Sequence, residues 1–597
     1  MIPKKLIPPN LSENMITAFG GINKTPSCPE NCFFDTQNTS SSLFPLLSTR
    51  EKRVHLHSFD QVPSALHTVN GITLVIGCSV YYNGVLQFDA LLPNTKKQIV
   101  SMGSNIIIFP DGFFFNTLST DQNGVCSEKG FLAQKNTVGS SSVEFIPCLF
   151  DSVPSVSSVA PADPVSNSLW LNTSTTPNVL SVYSLQNNSW SSVAPTHICI
   201  RASGIDSNLY AGDTVEISGA SIDINGFNSI TDIGNNYIIV SGLLDSYQTM
   251  QTSQNNVFCV ERSIPVLDFV CEHQNRLFGC RYGLNSKGEF VNEIYSSKLG
   301  DPKNWNCFSG LSTDSYSSSC GSEGQWTGVI SHMGYVVFFK ENRIHRLFGS
   351  KPSNFTLYQD EYPGVKIGSE KSLCLLNGSL LYHSENGIYL YSGSSPTCVS
   401  SSLGNEKFSD AVSAVCNNTY YTCMTDKTGL RQLYAFDLKR NIWNREDNSD
   451  YPALSYFDGN ILGIKNTDSS YSLELLFSSN IPPLCQSLYN DSLSLENNFD
   501  WFAESGKMGL SIDNFKYVNC LKIRLEADIG SSVSVFIQLD SNGSWENCGT
   551  FTSLKLSPFI FNVLPPRCDH FRIKICGRGN CKIYSFTKII ENASGVI

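Results

Sequence analysis

TYYTCMTDKTGLRQLYAFDLKRNIW, residues Thr419–Trp443, holds three runs of β-branched and aromatic residues separated by two tight polar turns, Lys427-Thr428-Gly429 and Lys439-Arg440-Asn441. Such runs suit a pleated, half-buried surface, and Gly and Asn supply the left-handed backbone that a sharp reversal needs. The stretch therefore predicts three antiparallel strands in a row. The same grammar recurs along the chain. ITLVIG (Ile72–Gly77) leads through Cys78 into VYYNGVLQF, where Asn83-Gly84 is a type I′ hairpin signal. NIIIFPDGFFFN (Asn105–Asn116) reverses at Pro110-Asp111-Gly112, YVVFFKENRIHRLFG (Tyr335–Gly349) at Glu341-Asn342, and SLLYHSENGIYLYSG (Ser379–Gly393) at Asn386-Gly387.

These units repeat about every 40 to 50 residues, the period of propeller blades of four short strands. Blades are expected near 52–92, 95–128, 265–310, 325–362, 366–403, 409–447 and 450–484, giving an all-β propeller of six to eight blades. The rhythm, not a WD or kelch signature, carries this expectation. It breaks between 129 and 262, where a Ser/Val/Pro-rich stretch precedes LYAGDTVEISGASID and NNYIIVSGLL, read as an inserted small β domain. It changes again near 488, where LKIRLEADIGSSVSVFIQLDSNGSWENCGTF and FRIKICGRGNCKIYSFTKII predict a C-terminal β-sandwich with Trp545, Phe551, Phe571 and Tyr584 at or near its core. The expected organisation is a 1–50 arm, propeller over 51–128 and 263–487, insertion over 129–262 and sandwich over 488–597.

Composition agrees with this class. The chain has 597 residues, 41% hydrophobic and 11% aromatic, enough for several cores, yet only 16% are charged. Ser and Asn supply much of its polar surface, which suits strands and loops better than solvated helices. The net charge of −11 and the lack of any long Lys/Arg run argue against tight nucleic-acid binding, while an acidic wall would let DNA slide past. The 21 cysteines follow no framework, and the N-terminus MIPKKLIPPNLSENMITAFGG has no apolar signal-peptide core. No stretch of 18 apolar residues predicts a membrane span. Together these features predict free, mostly buried cysteines and synthesis in a reducing cytoplasm.

Candidate chemistry is sparse. There is no phosphate-binding loop, H-E-x-x-H, G-x-S-x-G or EF-hand. His55 and His57 alternate on a strand without a third ligand, and Cys28 and Cys32 lack a second pair at zinc spacing, so no metal or cofactor is expected. Cys576 and Cys581 read as two thiols bracketing a hairpin. A propeller glycosidase needs paired carboxylates. Glu293, Asp301 and Asp314 lie close in sequence, and Asp540-Ser-Asn-Gly-Ser-Trp545 approaches an Asp-box with its Gly one place late. In NEIYSSKLGDPKNWNCF (Asn292–Phe308), however, Glu293, Lys298, Asp301 and Lys303 surround a turn opened by Asp301-Pro302 and anchored by Trp305. The stretch reads as punctuation, and no catalytic residue or enzymatic activity is expected.

FGGINKTP (Phe19–Pro26) and FDTQNTSSSLFPLLSTREKR (Phe34–Arg53) resemble the entry of bacteriophage virion propellers. CEHQNRLFGC followed by NEIYSSKLGDPKNWNCF is similar to a blade of phage tail hub and nozzle proteins, and PPRCDHFRIKICGRGNCKIYSFTKII to their closing sandwich. The resemblance spans most of the chain outside 129–262. It implies a structural component of a short-tailed phage virion tail, assembled in the bacterial host cytoplasm as a homo-oligomeric, hexameric ring. Such a ring would dock a portal or adaptor ring and tail fibres or tip proteins, and pass double-stranded DNA through its lumen without specific binding. No residue of a binding site is carried over. The alternative is a tail-tip or surface adhesin for host glycans, and after it a propeller glycoside hydrolase.

Overall fold

The computed structural model describes residues 11–592 except 94, 140, 253–256, 468–469, 553 and 564–565. Residues 1–10 of the expected N-terminal arm, and Pro565 of the closing motif, lie outside the described residues. The fold is all-β, with one short α-helix, Pro483–Tyr489, and three single-turn 3₁₀ helices among the described residues. No helix among them is long and apolar enough to cross a membrane. The chain divides into two compact units, one comprising residues 1–94, 337–345 and 359–597, the other 95–336 and 346–358.

In the first unit, the stretch Thr419–Trp443 builds the centre of a four-stranded antiparallel meander: Ser409–Cys416, Thr419–Thr425, Arg431–Asp437 and Ile442–Asp447. Its alternating side chains are buried on both faces, Tyr420, Tyr434, Phe436 and Trp443 in one core cluster and Tyr421, Cys423 and Leu433 in another. Burial on both faces explains why its apolar runs are nearly continuous. Two further meanders have the same form: Pro63–His67, Thr73–Ile76, Ser79–Tyr82 and Val85–Phe88, and Cys374–Leu376, Ser379–Ser384, Gly387–Tyr391 and Thr397–Cys398. Asn83 (φ 47°) and Gly84 (φ 79°) form the expected two-residue turn, with Tyr82 facing Val85. In the other hairpin Ser384 faces Gly387, so the turn is Glu385-Asn386, one residue earlier than expected.

Val54–Phe59 is not the first strand of the first meander. It pairs with Ser470–Leu475 and completes the sheet of Asp450–Phe457, Asn460–Thr467 and Ser470–Leu475, with Leu473 facing His57. An early strand thus finishes a late sheet. The local pattern announces a strand at Val54–Phe59 but carries no information on a partner some 400 residues away.

The C-terminal sandwich of the same unit also draws on the beginning of the chain. One sheet contains Lys516–Ala527, Ser557–Asn562 and Cys581–Asn592, extended by Leu11–Ile16, Thr39–Ser40 and Leu47–Thr49. The other contains Asp500–Ser505, Ser532–Leu539, Glu546–Phe551 and Phe571–Arg578, extended by Phe33–Gln37. Phe571 is fully buried in the core between them and Phe551 packs at its edge. Trp545 instead lies half-exposed under Arg572 and Lys574, and the Tyr584 hydroxyl donates to Glu526 at 3.0 Å. Phe571–Arg578 and Cys581–Asn592 are not a hairpin: they belong to opposite sheets, and the chain crosses at Arg578–Cys581, where Gly579 takes φ 77°.

In the second unit, Gln98–Met102, Asn105–Phe109, Phe113–Asn116 and Lys129–Phe131 form one meander, and Phe269–His273, Arg276–Leu284, Phe290–Ser296 and Tyr316–Ser319 another. Lys129–Phe131 therefore closes the preceding sheet, and the different architecture starts at Gln134. There eight strands between Gln134 and Arg262 enclose a core of Val143, Phe145, Ile198, Val215, Ile238 and Val260. A small sheet over Ser155–Ser192 is nested within it. A further four-stranded sheet, not confined to this unit, comprises Gly328–His332, Tyr335–Lys340, Arg343–Phe348 and Thr356–Asp360.

Candidate functional site

The charged residues singled out from sequence are absorbed by the fold. Glu293 accepts a hydrogen bond from the Tyr295 hydroxyl and one from Ser319 Oγ at 3.3 Å. Asp301 accepts from the Lys303 backbone N–H at 2.9 Å and from Asn304 Nδ2, and Trp305 donates to the Pro302 carbonyl at 2.8 Å. Asp314 accepts from the Leu311 N–H at 2.9 Å, and Lys303 lies over the Tyr210 ring at 4.4 Å. Asp301 and Asp314 are held by their own loops, and Glu293 by Tyr295 on its own strand and Ser319 on the paired one. The turn also has a task not visible in its sequence. Buried Asn304 donates to Asp213 Oδ1 at 3.1 Å and accepts the Thr214 N–H at 2.8 Å, latching the turn to the inserted β domain, where Asp213 also pairs with Arg262.

The metal candidates are equally committed. The Cys28 N–H donates to the Thr25 carbonyl and that of Cys32 to the Pro29 carbonyl, two turns as expected, and burial followed by the neighbouring Cys28 pushes the Cys32 thiol up to about 11. All 21 cysteines are free, including Cys576 and the buried Cys581. His55 meets Ser58 Oγ at 3.2 Å, while the His57 ring packs against Phe59 and Tyr489. A register shift where the strand pairs with Leu473 and Glu474 sends the two rings to different neighbours. Asp540 sits in the hairpin turn before Trp545 and, with Asp569 and His570, forms a group of potential ligands. Asp540 Oδ1 is already held by the N–H groups of Asp569 and His570, and His570 contacts Asp569 and Ser541 through its two ring nitrogens. The group serves as a loop clasp.

A cavity of about 590 Å³ has a different character. Its floor is Val54–Phe59 and the Thr73–Tyr82 strands, and the helix Pro483–Tyr489 with the following loop forms its wall. The helix is held because Cys485 is fully buried and Leu484, Leu488 and Tyr489 pack on the core around Leu56 and Leu473. The loop is pinned where Ser492 Oγ donates to the Leu56 carbonyl and the Ser492 N–H to the Tyr489 carbonyl. Aromatic surface comes from His57, Tyr81 and Tyr489, with His57 and Tyr489 centroids 5.9 Å apart. Burial, then Cys485, pushes the Tyr489 hydroxyl up to about 12, so it is a neutral donor at physiological pH. Asp60, Gln61, Asn490 and Asp491 supply polar groups. None of these four side chains, nor either tyrosine hydroxyl, makes a hydrogen bond or ion pair among the described residues. By contrast, a second, polar cavity of about 410 Å³ is lined by groups that pair with each other, such as Glu51 with Ser479 and Asp437 with Arg440. Of the candidate ligand residues named from sequence, His57 alone lines this cavity.

No protein-family model matches the chain, and no curated protein matches it. Similar solved structures include an exo-β-1,3-galactanase from Phanerochaete chrysosporium (9% identity, covering 53% of this chain and 94% of that one, TM-score 0.22). They also include the β-propeller domain of the Trilobed protease from Pyrococcus furiosus (10% identity, 64% and 98%, TM-score 0.25) and a Pyrococcus horikoshii acylaminoacyl peptidase (10%, 56% and 55%, TM-score 0.24). The expectation that this chain is not an enzyme is corrected accordingly. Glycoside hydrolases and a peptidase stand among its structural neighbours, so missing sequence motifs are no ground for excluding catalysis. At these TM-scores the likeness assigns no activity.

Proposed function

We propose that the chain is a structural protein of a bacteriophage virion tail, of hub or nozzle type, its four-stranded sheets serving as the six to eight blades of a propeller. It assembles as a homo-oligomeric ring, hexameric in the simplest case. The ring docks a portal or adaptor ring and tail fibres or tip proteins, and passes DNA through an acidic lumen without gripping it. One observation carries the reading. The N-terminal segment that resembles phage propellers, Phe19–Arg53, is spent on internal joinery. Thr36 and Asp35 hold Arg445, Asn38 holds Arg50, and Arg53 reaches Glu446 and Asp447. A particle component that must bear load during assembly and ejection has use for such a lock between this segment and the Ile442–Asp447 strand. Quantitative mass spectrometry of density-banded particles tests this. Recovery at a copy number near that of the portal supports it, and absence from intact particles overturns it.

A second reading, recognition of host glycans at the tail tip or surface, has in its favour the aromatic cavity at His57, Tyr81 and Tyr489, whose polar groups are not used within the protein.

A further inference from the structure

We propose that the cavity between Val54–Phe59 and the helix Pro483–Tyr489 is a binding site for an uncharged saccharide, seated on Tyr489 and Tyr81 and held through its hydroxyls by Asp60 and Asp491. The inference rests on the glycan-recognition reading and names its site and ligand class.

Three features carry it. The first is size: about 590 Å³ lies in the range of small-molecule sites, roughly 300–1,000 Å³. The second is the pairing of surfaces. Pyranose rings present apolar C–H faces and a rim of hydroxyls. The cavity offers half-buried aromatic faces beside acceptors and amides that are uncommitted among the described residues. The third is charge. Asp60 and Asp491 line the cavity and, among the described residues, no Lys or Arg does, which disfavours phosphates, sulfated glycans and sialic acids. Carboxylates accept strongly from hydroxyl donors, and the Tyr489 and Tyr81 hydroxyls and Asn490 can both donate and accept. The site is also preformed: the helix is anchored by Cys485 in the core and the loop by Ser492 on Leu56, so little ordering opposes binding.

The test is calorimetric titration of the full chain with a panel of neutral oligosaccharides of hexose and N-acetylhexosamine units, alongside sialylated and sulfated counterparts. The expected result is one neutral saccharide bound per chain, weakened about tenfold or more by Tyr489→Ala and by Asp491→Asn, with acidic glycans binding less well. Asp491 lies on an exposed loop, so its variant tests the site without touching the core. Binding of neutral glycans at unchanged affinity in both variants overturns this site while leaving glycan recognition standing. Binding of no glycan overturns both. A preference for acidic glycans overturns the ligand class.

Discussion

Arg50 and Glu496, 446 residues apart in the chain, meet fork to fork, with Nη1–Oε2 at 2.8 Å and Nη2–Oε1 at 2.9 Å. The guanidinium also lies 4.1 Å from the centre of the Phe499 ring and donates through Nε to Asn38. Beside it, Arg53 donates to Glu446 at 2.7 Å, to Asp447 at 2.9 Å and to the Leu476 carbonyl at 2.8 Å. Two arginines from one short segment thereby fix the end of the Ile442–Asp447 strand and the approach to the sandwich.

Arg53 is the partner this cluster can least spare. Burial alone would favour its neutral form, but Glu446 and Asp447 hold it charged, well above its ordinary value. Arg53→Met leaves buried Glu446 without the guanidinium that donates to it and Asp447 with Arg50 alone, and breaking a buried pair from one side costs about 3–5 kcal/mol. Urea denaturation should show that loss, with Arg53→Lys recovering only part of it, because one ammonium cannot reproduce the fork. A variant as stable as the parent would remove the cluster from the account of stability.

Acid should loosen the same cluster. Burial pushes the Asp447 carboxyl up, but Arg53 and Arg50 outweigh it and hold the group below its ordinary value; for Glu496, Arg50 does the same against burial. A depressed carboxylate contributes stability that is complete above its unfolded value and is lost as pH falls through the folded one. Glu446 opposes this, since burial raises it despite Arg53. Glu496 is therefore the better reporter. Stability of the parent should fall from about pH 5 to pH 3, and Glu496→Gln should flatten that slope while lowering stability at neutral pH. Equal slopes in parent and variant would refute the assignment.

Local turn chemistry was legible in sequence because it is written in adjacent residues. Asn83-Gly84 needs two left-handed residues and has them, and the runs of Thr419–Trp443 become strands at their expected places. Long-range pairing was not. Nothing in VHLHSF says that Val54–Phe59 will lie against Ser470–Leu475, or that Phe33–Gln37 will lie against Asp500–Ser505. The aromatic cavity was hidden for the same reason. Its residues come from positions 57–84 and 487–492, with no fixed spacing to search for. Asp301 and Asp314 lie in turns, as their Asp-Pro and short Asx spacings indicate, whereas Glu293 sits within the strand Phe290–Ser296, which the turn reading missed.

Gly84 isolates backbone strain from crowding. At φ 79° a Cβ would meet only Leu488 Cδ2, at 3.7 Å, so space is available and only conformation opposes a side chain. Gly84→Ala should cost about 1–2 kcal/mol, and Gly84→Asn markedly less, because Asn tolerates the left-handed region. Gly577 makes the contrast. Its added Cβ would lie 2.1 Å from the Ser532 carbonyl oxygen, inside the sheet pairing of the sandwich, so Gly577→Ala should be the more damaging of the two. Thermal melts of the variants order these costs directly, and the reverse order would contradict the two geometries.

The Asn304 latch predicts a local effect. Asn304→Ala removes the acceptor for the Thr214 N–H and a donor to Asp213, both buried, at a cost of about 1–3 kcal/mol. Hydrogen exchange should speed up at Thr214 and along Thr214–Ser218 while the sandwich strands keep their protection. Uniform acceleration across the chain would mean the latch stabilises nothing in particular.

Truncation of residues 1–49 tests how far the sandwich depends on the beginning of the chain. It removes Leu11–Ile16, Phe33–Gln37, Thr39–Ser40 and Leu47–Thr49, and with them Ile16, Phe19, Phe33 and Leu47 from the core. Four buried apolar side chains at about 1.5–3 kcal/mol each amount to about 6–12 kcal/mol, comparable to the whole stability of an ordinary domain. The cut also bares the edges of Asp500–Ser505 and Cys581–Asn592, and unpaired strand edges invite association. Light scattering after size exclusion should find the truncated chain aggregated, and co-expression with the 1–49 segment should restore a single species. A monodisperse, folded truncation would mean that these strands decorate the sandwich without completing it.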